Sequence, residues 1–382
     1  MSNFSIKALS EKKVCWLESC RDNNETAEDS FGDIVISSRI RLARNVKGSY
    51  FPVRADDPSL LEIRDVCTVA VQAAMKDLDA SCMLFPVDML ASVDREYLLE
   101  RHFISREFLN PRPGAALLAD ADKGIFVMVN EEDHLRIQML ASGMDLKGLW
   151  QKISLLDDRI SARLPYAFDP VLGYLTSCPS NTGTGMRASV MLHLPALALS
   201  GQLNTVVNGA KALGLAIRGF YGEGSSLEGN FYQLSNQSTL GETESMLIAR
   251  LERVTRLLCT AERRARLFLL EHRKELLLNF IGRSYGVARY SYSLKSNDAL
   301  NALSGILLGT EMKMFTRLFP EEVKKYLLLI QKEHLQRKYG KEGASPEERD
   351  SCRADILREF LRGGSKELSG KKKKPQRKKT DK

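Results

Sequence analysis

Residues 130–136, Asn-Glu-Glu-Asp-His-Leu-Arg, constrain the fold of this chain more than any other stretch. They stand between two apolar runs, residues 124–129 and 135–140. A strand, a sharp polar turn and a second strand are the simplest geometry for this pattern. Such a turn presents Glu131 and Glu132 at the mouth of a sheet, and Arg136 begins the returning strand. The alternative is a charged hairpin tip that faces only water.

Carboxylates crowded in this way repel one another, so a cation must approach them or some of them must hold a proton. A guanidinium suits the first case, because its planar fork matches a carboxylate pairwise. The turn is therefore a candidate site for binding a guanidinium group.

Length and composition favour a soluble protein of two domains. The chain has 382 residues, of which 43% are hydrophobic and 27% charged, as is usual for globular proteins. Residues 371–382 carry seven Lys, one Arg and one Asp, which accounts for +7 of the formal net charge of +8. The basic charge therefore belongs to the tail, and nucleic-acid binding is expected only through that tail.

The cysteine pattern indicates a reducing compartment. The seven cysteines are odd in number, irregularly spaced and without a Cys-x-x-Cys pair, which argues against a disulfide framework and against a zinc site. We find neither an apolar signal-peptide core nor a run of the roughly 18–20 apolar residues that a membrane span needs. We therefore expect a cytoplasmic protein with no membrane partner and no metal-ligating side chains.

An alternating pattern places two arginines together early in the chain. Residues 33–36 predict a strand that continues through Arg39 and Arg41. In an extended chain these two side chains share one face, with Ile40 on the other. Two adjacent cations need an anion between them, and polyphosphate is the obvious one. The alternative is an exposed basic strand end.

A small loop at residues 176–188 contains a nominal dinucleotide fingerprint, formed by Gly183, Gly185 and Ala188. That fingerprint requires an acidic residue about 20 positions later to bind the ribose. No Asp or Glu occurs between Asp169 and Glu223, so we discount it.

The same loop carries Arg187, a cation where phosphates could sit, and Cys178 among several hydroxyl side chains. Those hydroxyls could stabilise a thiolate. The alternative for Cys178 is an inert cysteine at a strand end.

A glycine-rich segment follows Arg218, with three glycines between residues 219 and 224 and Glu223 among them. A single carboxylate on a loop of this kind suits a lid that closes over a substrate. The alternative is a solvated turn.

Helical periodicity is predicted at residues 58–80, 93–104, 144–164, 196–213, 241–280, 297–308, 320–339 and 346–362. The helical composition from about residue 260 indicates a second, all-α domain. Within it, Arg349 and Arg353 share a helix face and could bind a phosphate, or else form surface salt bridges with neighbouring acids. The tail after Gly363 reads as low-complexity sequence.

Phosphoryl transfer fits these separate basic and acidic clusters. The chain lacks a Walker A motif and the His-Arg-Asp and Asp-Phe-Gly motifs of protein kinases. Arginines can nevertheless clamp a triphosphate, with Mg²⁺ bridging its phosphates. A guanidinium acceptor has a very high pKa, so a carboxylate must remove its proton as transfer occurs.

Four segments resemble the signatures of the phosphagen (guanidino) kinase superfamily: DIVISSRIRLARN, VNEEDHLRIQ, GYLTSCPSNTGTGMRASVMLHLPAL and RGFYGEGS. The resemblance covers roughly residues 31–258, and it is greatest to the bacterial protein-arginine kinases of the McsB type. Residues 349–354 also match that branch's R-D-x-x-R-A motif.

The resemblance implies roles for individual residues. Glu132 is the expected catalytic base, Glu131 and Glu223 hold the guanidinium, and Cys178 occupies the family's reactive cysteine position. The residues expected to border ATP are Ser37, Ser38, Arg39, Ile40, Arg41, His102, Arg136, Arg187, Ala188, Ser189, Val190, Met191, Arg218, Gly219, Phe220, Tyr221, Gly222 and Glu223. An allosteric phosphoarginine pocket is implied at Arg349, Asp350, Arg353 and Ala354.

The resemblance also implies an α+β fold, an antiparallel sheet flanked by helices, followed by an all-α C-terminal domain. The expected divisions are an N-terminal helix and linker (1–30), the catalytic domain (31–258), a helical dimerisation and regulatory domain (259–364) and a disordered Lys-rich tail (365–382). Only about 36 residues precede the S-S-R-I-R segment, where metabolic guanidino kinases carry a further helical domain. We expect its absence to open the site to protein substrates.

The implied function is ATP-dependent phosphorylation of protein arginines, which marks proteins for a Clp-type protease or inactivates a stress repressor, with a homodimer and an activator protein as implied partners. A free-arginine kinase is the nearest alternative. A catalytically silent adaptor that binds phosphoarginine is another.

Overall fold

The computed structural model describes residues 6–17, 31–219, 228–340 and 343–366. The chain forms two compact units, Met1–Leu278 and Asn279–Lys382. None of the helices in the described ranges combines the length and the apolar character that a membrane crossing requires.

The first unit is built on antiparallel strands. In chain order the strands are β1 (Val35–Arg44), β2 (Met83–Pro86), β3 (Ala116–Asp120), β4 (Ile125–Val129), β5 (Leu135–Ser142), β6 (Phe168–Asp169), β7 (Gly173–Tyr174), β8 (Met186–His193), β9 (Leu215–Gly219) and β10 (Phe231–Asn236). In the described part of the chain, eight of them form one sheet in the order β2-β3-β4-β5-β1-β8-β10-β9, while β6 and β7 pair separately. Every pairing is antiparallel, so the predicted antiparallel sheet is confirmed.

Helices flank this sheet and make up the second unit. They are α1 (Lys7–Ser10), α2 (Asp57–Asp77), α3 (Ser92–Glu100), α4 (Leu146–Ser161), α5 (Pro195–Leu199), α6 (Leu203–Ala212), α7 (Glu244–His272), α8 (Lys274–Tyr290), α9 (Ser296–Glu311), α10 (Pro320–Leu329), α11 (Lys332–Tyr339) and α12 (Pro346–Lys366). The predicted helical C-terminal region is confirmed.

Three of the long helices predicted from periodicity are wrong in detail, because each is divided in two. The first, over residues 196–213, is broken where Gly201 takes a φ of +75°, which ends α5 before α6 begins. The second, over residues 320–339, is broken at Gln331, whose φ of −71° and ψ of 155° are extended. The third, over residues 241–280, ends as α7 at Arg273, with a φ of −138° and ψ of 43°, and α8 follows.

One face of the sheet is the core. Ile40 and Leu42 of β1, Ile137 of β5 and Val190 of β8 are fully buried on it. Helix α4 packs against β1 and β5, and α7 packs against β8 and β10. Alternation along each strand therefore sends the apolar side chains under the helices and leaves the opposite face for polar residues.

That opposite face carries arginines from four strands. Arg39 and Arg41 lie on β1, Arg136 on β5, Arg187 on β8 and Arg218 on β9. Residues directly opposed in antiparallel strands share a face. The pairings that link these arginines are Ala43–Arg136, Arg41–Arg187, Ser37–Met191, Gln233–Met191 and Gln233–Arg218.

The second unit is organised around α9, in which 11 of the 16 residues are buried. Two of its glycines allow neighbouring residues to approach closely. A Cβ added to Gly305 would lie 2.5 Å from the Ser284 Cβ, and one added to Gly309 would lie 2.9 Å from the Ile281 Cγ2. These positions therefore accept no side chain without a shift of the neighbours.

Candidate active site

The polar face of the sheet contains a cavity of about 200 Å³. It collects residues that are far apart in the sequence. Its lining residues are Arg41, Leu42, Ala43, Glu107, Glu131, Glu132, Asp133, Arg136, Cys178, Ser180, Asn181, Gly185 and Arg187. The structure thus brings together the acidic turn, the paired arginines of β1 and β8 and the cysteine loop.

The acidic turn joins β4 to β5, as the sequence predicts. Asn130 begins it with a φ of +57°, a conformation that asparagine tolerates better than most residues. Its side-chain Nδ2 donates to the carbonyl oxygens of Leu60 (2.7 Å) and Gly114 (3.2 Å). These bonds hold the turn against neighbouring segments, so the carboxylates that follow have a fixed base.

Glu131 is buried and fully engaged. Its Oε1 accepts from Ser105 Oγ at 2.5 Å and from Arg136 Nη1, and its Oε2 accepts from the Glu132 amide at 3.0 Å. Arg136, expected to border the nucleotide, therefore forms an ion pair with Glu131 in this structure. Glu131 provides a fixed negative charge, already matched to a guanidinium.

Glu132 differs from its neighbour. Its carboxylate is half-buried and makes no hydrogen bond or ion pair within the described ranges. Burial raises the pKa of Glu132, and the charges of Asp133 and Glu131 raise it further. A partnerless carboxylate with a raised pKa, facing a cavity, suits proton abstraction.

Asp133 links the acidic turn to the cysteine loop. Its Oδ1 accepts from Asn45 Nδ2 and from the Ser177 amide, each at 2.6 Å. The neighbouring Cys178 has its Sγ 3.0 Å from Ser180 Oγ. Asp133 therefore fixes the position of Cys178 relative to Glu132.

His134 supports the same junction as a neutral ring. Its Nδ1 accepts from the Val46 amide at 3.0 Å, so Nε2 carries the proton and donates to the Tyr50 carbonyl oxygen, also at 3.0 Å. Burial lowers the pKa of His134 to about 4. This histidine is consequently a structural donor and acceptor at neutral pH.

Arg39, Arg41 and Arg187 have no hydrogen-bond or ion-pair partner among the described residues. Burial and the charges of Arg136 and Arg187 lower the pKa of Arg39 to about 10. Burial also lowers the pKa of Arg41 and of Arg187, with contributions from neighbouring arginines. The Nε of Arg41 is buried without a partner. Desolvated, mutually repelling cations with unused donors fit a polyanion such as a triphosphate.

A smaller cavity of about 20 Å³ adjoins Arg39. It contains several of the residues expected to border the nucleotide. Its lining residues are Trp16, Ser37, Arg39, His102, Leu140, Ser189, Met191 and Gln233. Ser37, Ser189 and Met191 thus share the arginine face.

Other residues expected at the nucleotide lie elsewhere. Ser38, Ile40, Ala188 and Val190 alternate onto the core face, where their side chains are buried. Ser38 Oγ donates to the Gly143 carbonyl oxygen at 2.8 Å. The side chains of these four residues line neither cavity.

The glycine-rich segment predicted to act as a lid lies mostly outside the residues that the structure describes. Arg218 is exposed at the end of β9, and Gly219 is the last residue of that strand. Phe220, Tyr221, Gly222 and Glu223 lie outside the described residues.

Packing rather than nucleotide binding accounts for a glycine in the discounted fingerprint. Gly185 has a φ of +62°, and an added Cβ would lie 2.7 Å from the Ala43 carbonyl oxygen. The loop therefore lies directly against β1, which brings Arg187 beside Arg41.

Sequence reasoning missed several residues of the cavity. Glu107 lines it and has its Oε2 3.9 Å from Arg136 Nη1, and Ser105 binds Glu131. Both precede the acidic turn by more than 20 residues, and no local pattern marks them. Asp133 and Asn45 lie within two of the segments that resemble the family. That placement was the signal in the sequence for a role in the site.

The predicted phosphoarginine residues lie on α12 and already have partners. Arg353 is 4% exposed. Its Nε donates to the Ile330 carbonyl oxygen at 2.9 Å, and its Nη1 donates to the Leu294 carbonyl oxygen at 2.7 Å and to Asp350 Oδ1 at 2.5 Å. Arg349 Nη1 donates to the Ala344 carbonyl oxygen at 2.5 Å, and Ala354 is fully buried.

Comparison with known families gives two adjacent matches. The sequence model described as "ATP:guanido phosphotransferase, C-terminal catalytic domain" matches residues 63–265. The model described as "Protein-arginine kinase McsB C-terminal domain" matches residues 274–377.

Curated relatives cover most of the chain. A protein named protein-arginine kinase from Halothermothrix orenii is 41% identical over 329 residues, which are 86% of this chain and 93% of the relative. One of the same name from Moorella thermoacetica is 42% identical over 332 residues, covering 87% and 95%.

Solved structures share the fold. A lombricine kinase superposes with a TM-score of 0.53 at 25% identity, covering 61% of this chain and 67% of the other. A duplicated taurocyamine kinase from Schistosoma mansoni gives a TM-score of 0.55 and covers 81% and 42%.

Proposed function

The chain belongs to the ATP:guanido phosphotransferase family and carries the C-terminal domain of the McsB-type protein-arginine kinases, and from this premise we propose that it transfers the terminal phosphoryl group of ATP to arginine side chains of proteins. The observation that carries the proposal is a cavity in which the Glu132 carboxylate faces Arg41 and Arg187, none of which has a hydrogen-bond or ion-pair partner among the residues that the structure describes.

ATP fits the arginine side of the cavity. Arg41 and Arg187 line it, and Arg39 lies on the same sheet face beside the smaller cavity; a triphosphate would relieve the mutual repulsion of these desolvated cations. No group of three or more His, Cys, Asp or Glu side chains in the described ranges is placed to hold a metal ion. We therefore assign Mg²⁺ to the substrate, where it bridges the phosphates as Mg·ATP.

The acceptor guanidinium fits the acidic side. In this proposal Glu132 removes the proton of the attacking nitrogen, while Glu223 and Glu131 orient the guanidinium, Glu131 after it exchanges its present partner Arg136 for the substrate. An N–P bond forms to the terminal phosphorus, the bond from that phosphorus to the ADP oxygen breaks, and ADP leaves with the electron pair. The proton goes to the Glu132 carboxylate, whose raised pKa suits a transient acid.

Cys178 is assigned a supporting role. Its Sγ lies beside Ser180 Oγ and at the wall of the cavity. Proton abstraction is already served by Glu132, so the thiol is proposed to position the guanidinium rather than to act as the base.

Protein substrates, rather than free arginine, are favoured by the relatives. The C-terminal match is to a protein-arginine kinase domain, and the curated relatives carry that name. We propose residues 259–364 as the dimerisation and regulatory region and a cytoplasmic stress response as the setting. A Clp-type protease, a repressor and an activator protein are the corresponding partners, proposed from the family resemblance.

The deciding experiment supplies Mg·ATP with either an arginine-rich protein or free L-arginine. We expect acid-labile phosphate on protein arginines, located by mass spectrometry under conditions that preserve the N–P bond. Phosphorylation of free arginine alone would replace the proposal with a metabolic kinase, and absence of both products would reject it.

A further inference from the structure

The N-terminal segment of residues 6–17 is built into the first unit beside the small cavity. Arg101 holds it, because Nη1 donates to the Ser10 carbonyl oxygen at 3.0 Å and Nη2 donates to the Lys12 carbonyl oxygen. Lys12 Nζ also forms an ion pair with Asp122 at 2.5 Å. This segment lies outside residues 63–265, which match the catalytic-domain family.

Trp16 is the residue of this segment that reaches the cavity. Its side chain is 1% exposed, and Nε1 donates to the Arg101 carbonyl oxygen at 3.0 Å. Its ring packs against the ring of His102, with 4.7 Å between the centroids and 58° between the planes. The two rings line the same small cavity as Arg39 and Ser37.

His102 occupies an unusual backbone position. It follows the end of α3 with a φ of +61°, a conformation that glycine usually fills after a helix. Histidine at this position costs backbone strain that glycine would avoid, and the ring is the group that glycine would lack. Gln138 Nε2 donates to the His102 carbonyl oxygen at 2.8 Å, and the Trp16 ring packs against the His102 ring.

We propose that Trp16 is a positioning residue for the nucleotide, which fixes the His102 ring beside Arg39 and so makes the N-terminal segment a determinant of ATP affinity. The inference rests on the proposed function, because it concerns how tightly that site holds ATP. Trp16 lines the cavity with only 1% of its surface exposed, so in this proposal it acts mainly through the ring of His102.

A double-mutant cycle tests this mechanism. We expect Trp16→Leu to raise the KM for ATP and the calorimetric Kd for ADP about fivefold, with kcat changed less than about twofold. His102→Ala should have a similar effect, and the double variant should be no worse than either single variant. Trp16→Phe, which keeps an aromatic ring, should restore most of the affinity.

Leu9→Ala is the matched control, since Leu9 is another fully buried side chain of the same segment. Its ADP affinity should stay near that of the wild type. An equal loss in Leu9→Ala, or additive losses in the double variant, would overturn the inference. Wild-type protein that neither binds ADP nor phosphorylates arginine would instead reject the proposed function.

Fluorescence gives a readout that is independent of activity. The chain has two tryptophans, so Trp150→Phe leaves Trp16 as the sole indole. ADP should change its emission with a midpoint equal to the calorimetric Kd, because the His102 ring packed against Trp16 responds to the ligand. An unchanged emission during saturating ADP binding would count against the inference.

Discussion

Buried arginines occur in two contrasting settings in this protein. On the sheet face, Arg41 and Arg187 lie side by side without partners in the described ranges. On α12, Arg353 is 4% exposed, less than the half-buried Arg41 and Arg187. It donates to two carbonyl oxygens and to Asp350. A guanidinium with satisfied donors stabilises a fold, whereas an enclosed one with unused donors indicates a site for binding an anion. The difference supports the proposal that the sheet face binds the ligand, and it favours a framework role for Arg353.

The largest expected effect is at the carboxylate that faces the open arginines. Glu132→Gln keeps the shape of the side chain but removes the base, so kcat should fall about a thousandfold. ATP affinity and thermal unfolding should be nearly unchanged, because the Glu132 carboxylate has no partner among the described residues.

Glu107→Gln is the control for Glu132→Gln, since Glu107 lines the same cavity but is mostly exposed. Its kcat should fall less than about tenfold. If Glu132→Gln kept more than about a tenth of the activity, Glu132 would not be the base.

Arg41→Met separates binding from stability. Loss of charged hydrogen bonds to the triphosphate should weaken ATP binding about a hundredfold. The free energy of unfolding without nucleotide should rise by about 1 kcal/mol, because an uncompensated buried cation is removed. Calorimetry and denaturant unfolding measure the two effects, and a stability loss would show that Arg41 has a structural partner.

Arg353→Met should give the opposite pattern. It leaves the Ile330 and Leu294 carbonyl oxygens and Asp350 without their donor, so the free energy of unfolding should fall by about 2–3 kcal/mol. The KM for ATP should not change.

The predicted phosphoarginine pocket is tested with the same variant. Binding of free phosphoarginine is measured by calorimetry in the wild type and in Arg353→Met. If the wild type binds it and the variant loses that binding by more than its lower stability explains, Arg353 exchanges its present partners for the ligand. That result would remove the contrast between the two arginine settings.

The pH profile tests Glu132 from another direction. Burial raises the pKa of this carboxyl, so kcat/KM should fall about tenfold per pH unit below a pKa higher than that of an ordinary glutamate. The native state then binds the proton more tightly than the unfolded chain, so the contribution of Glu132 to stability decreases as pH rises from the unfolded pKa through the native one. Glu132→Gln should remove both dependences.

Local patterns explain which parts of the site were predictable. Period-two alternation placed Arg39 and Arg41 on one face, and two apolar runs around residues 130–136 fixed the hairpin. Alternation also predicts that Ile40 faces the core, and the structure agrees. The family resemblance applies to whole segments, so it includes Ile40 among the residues expected to border ATP although the Ile40 side chain faces the core.

The pairing of strands that are distant in the sequence could not be predicted from local patterns. Nothing local indicates that β1 lies between β5 and β8, which is what brings Arg187 opposite Arg41. Glu107 and Ser105 reach the acidic turn by the same kind of tertiary approach. The partners of Arg353 come from 23 and 59 residues away, so its burial could not be read from helix periodicity.

Cys178 should give the smallest effect. Its Sγ contacts Ser180 Oγ, while Asp133 holds the loop through the Ser177 amide. Cys178→Ser keeps a small polar group in that frame, so kcat should fall less than about tenfold with the KM for ATP unchanged. Asp133→Asn weakens the acceptor that fixes the loop and should lower kcat more than Cys178→Ser does. If Cys178→Ser instead lost as much activity as Glu132→Gln, the thiol would share the proton transfer. Glu132 would then not be the only base that faces the partnerless arginines of the described sheet face.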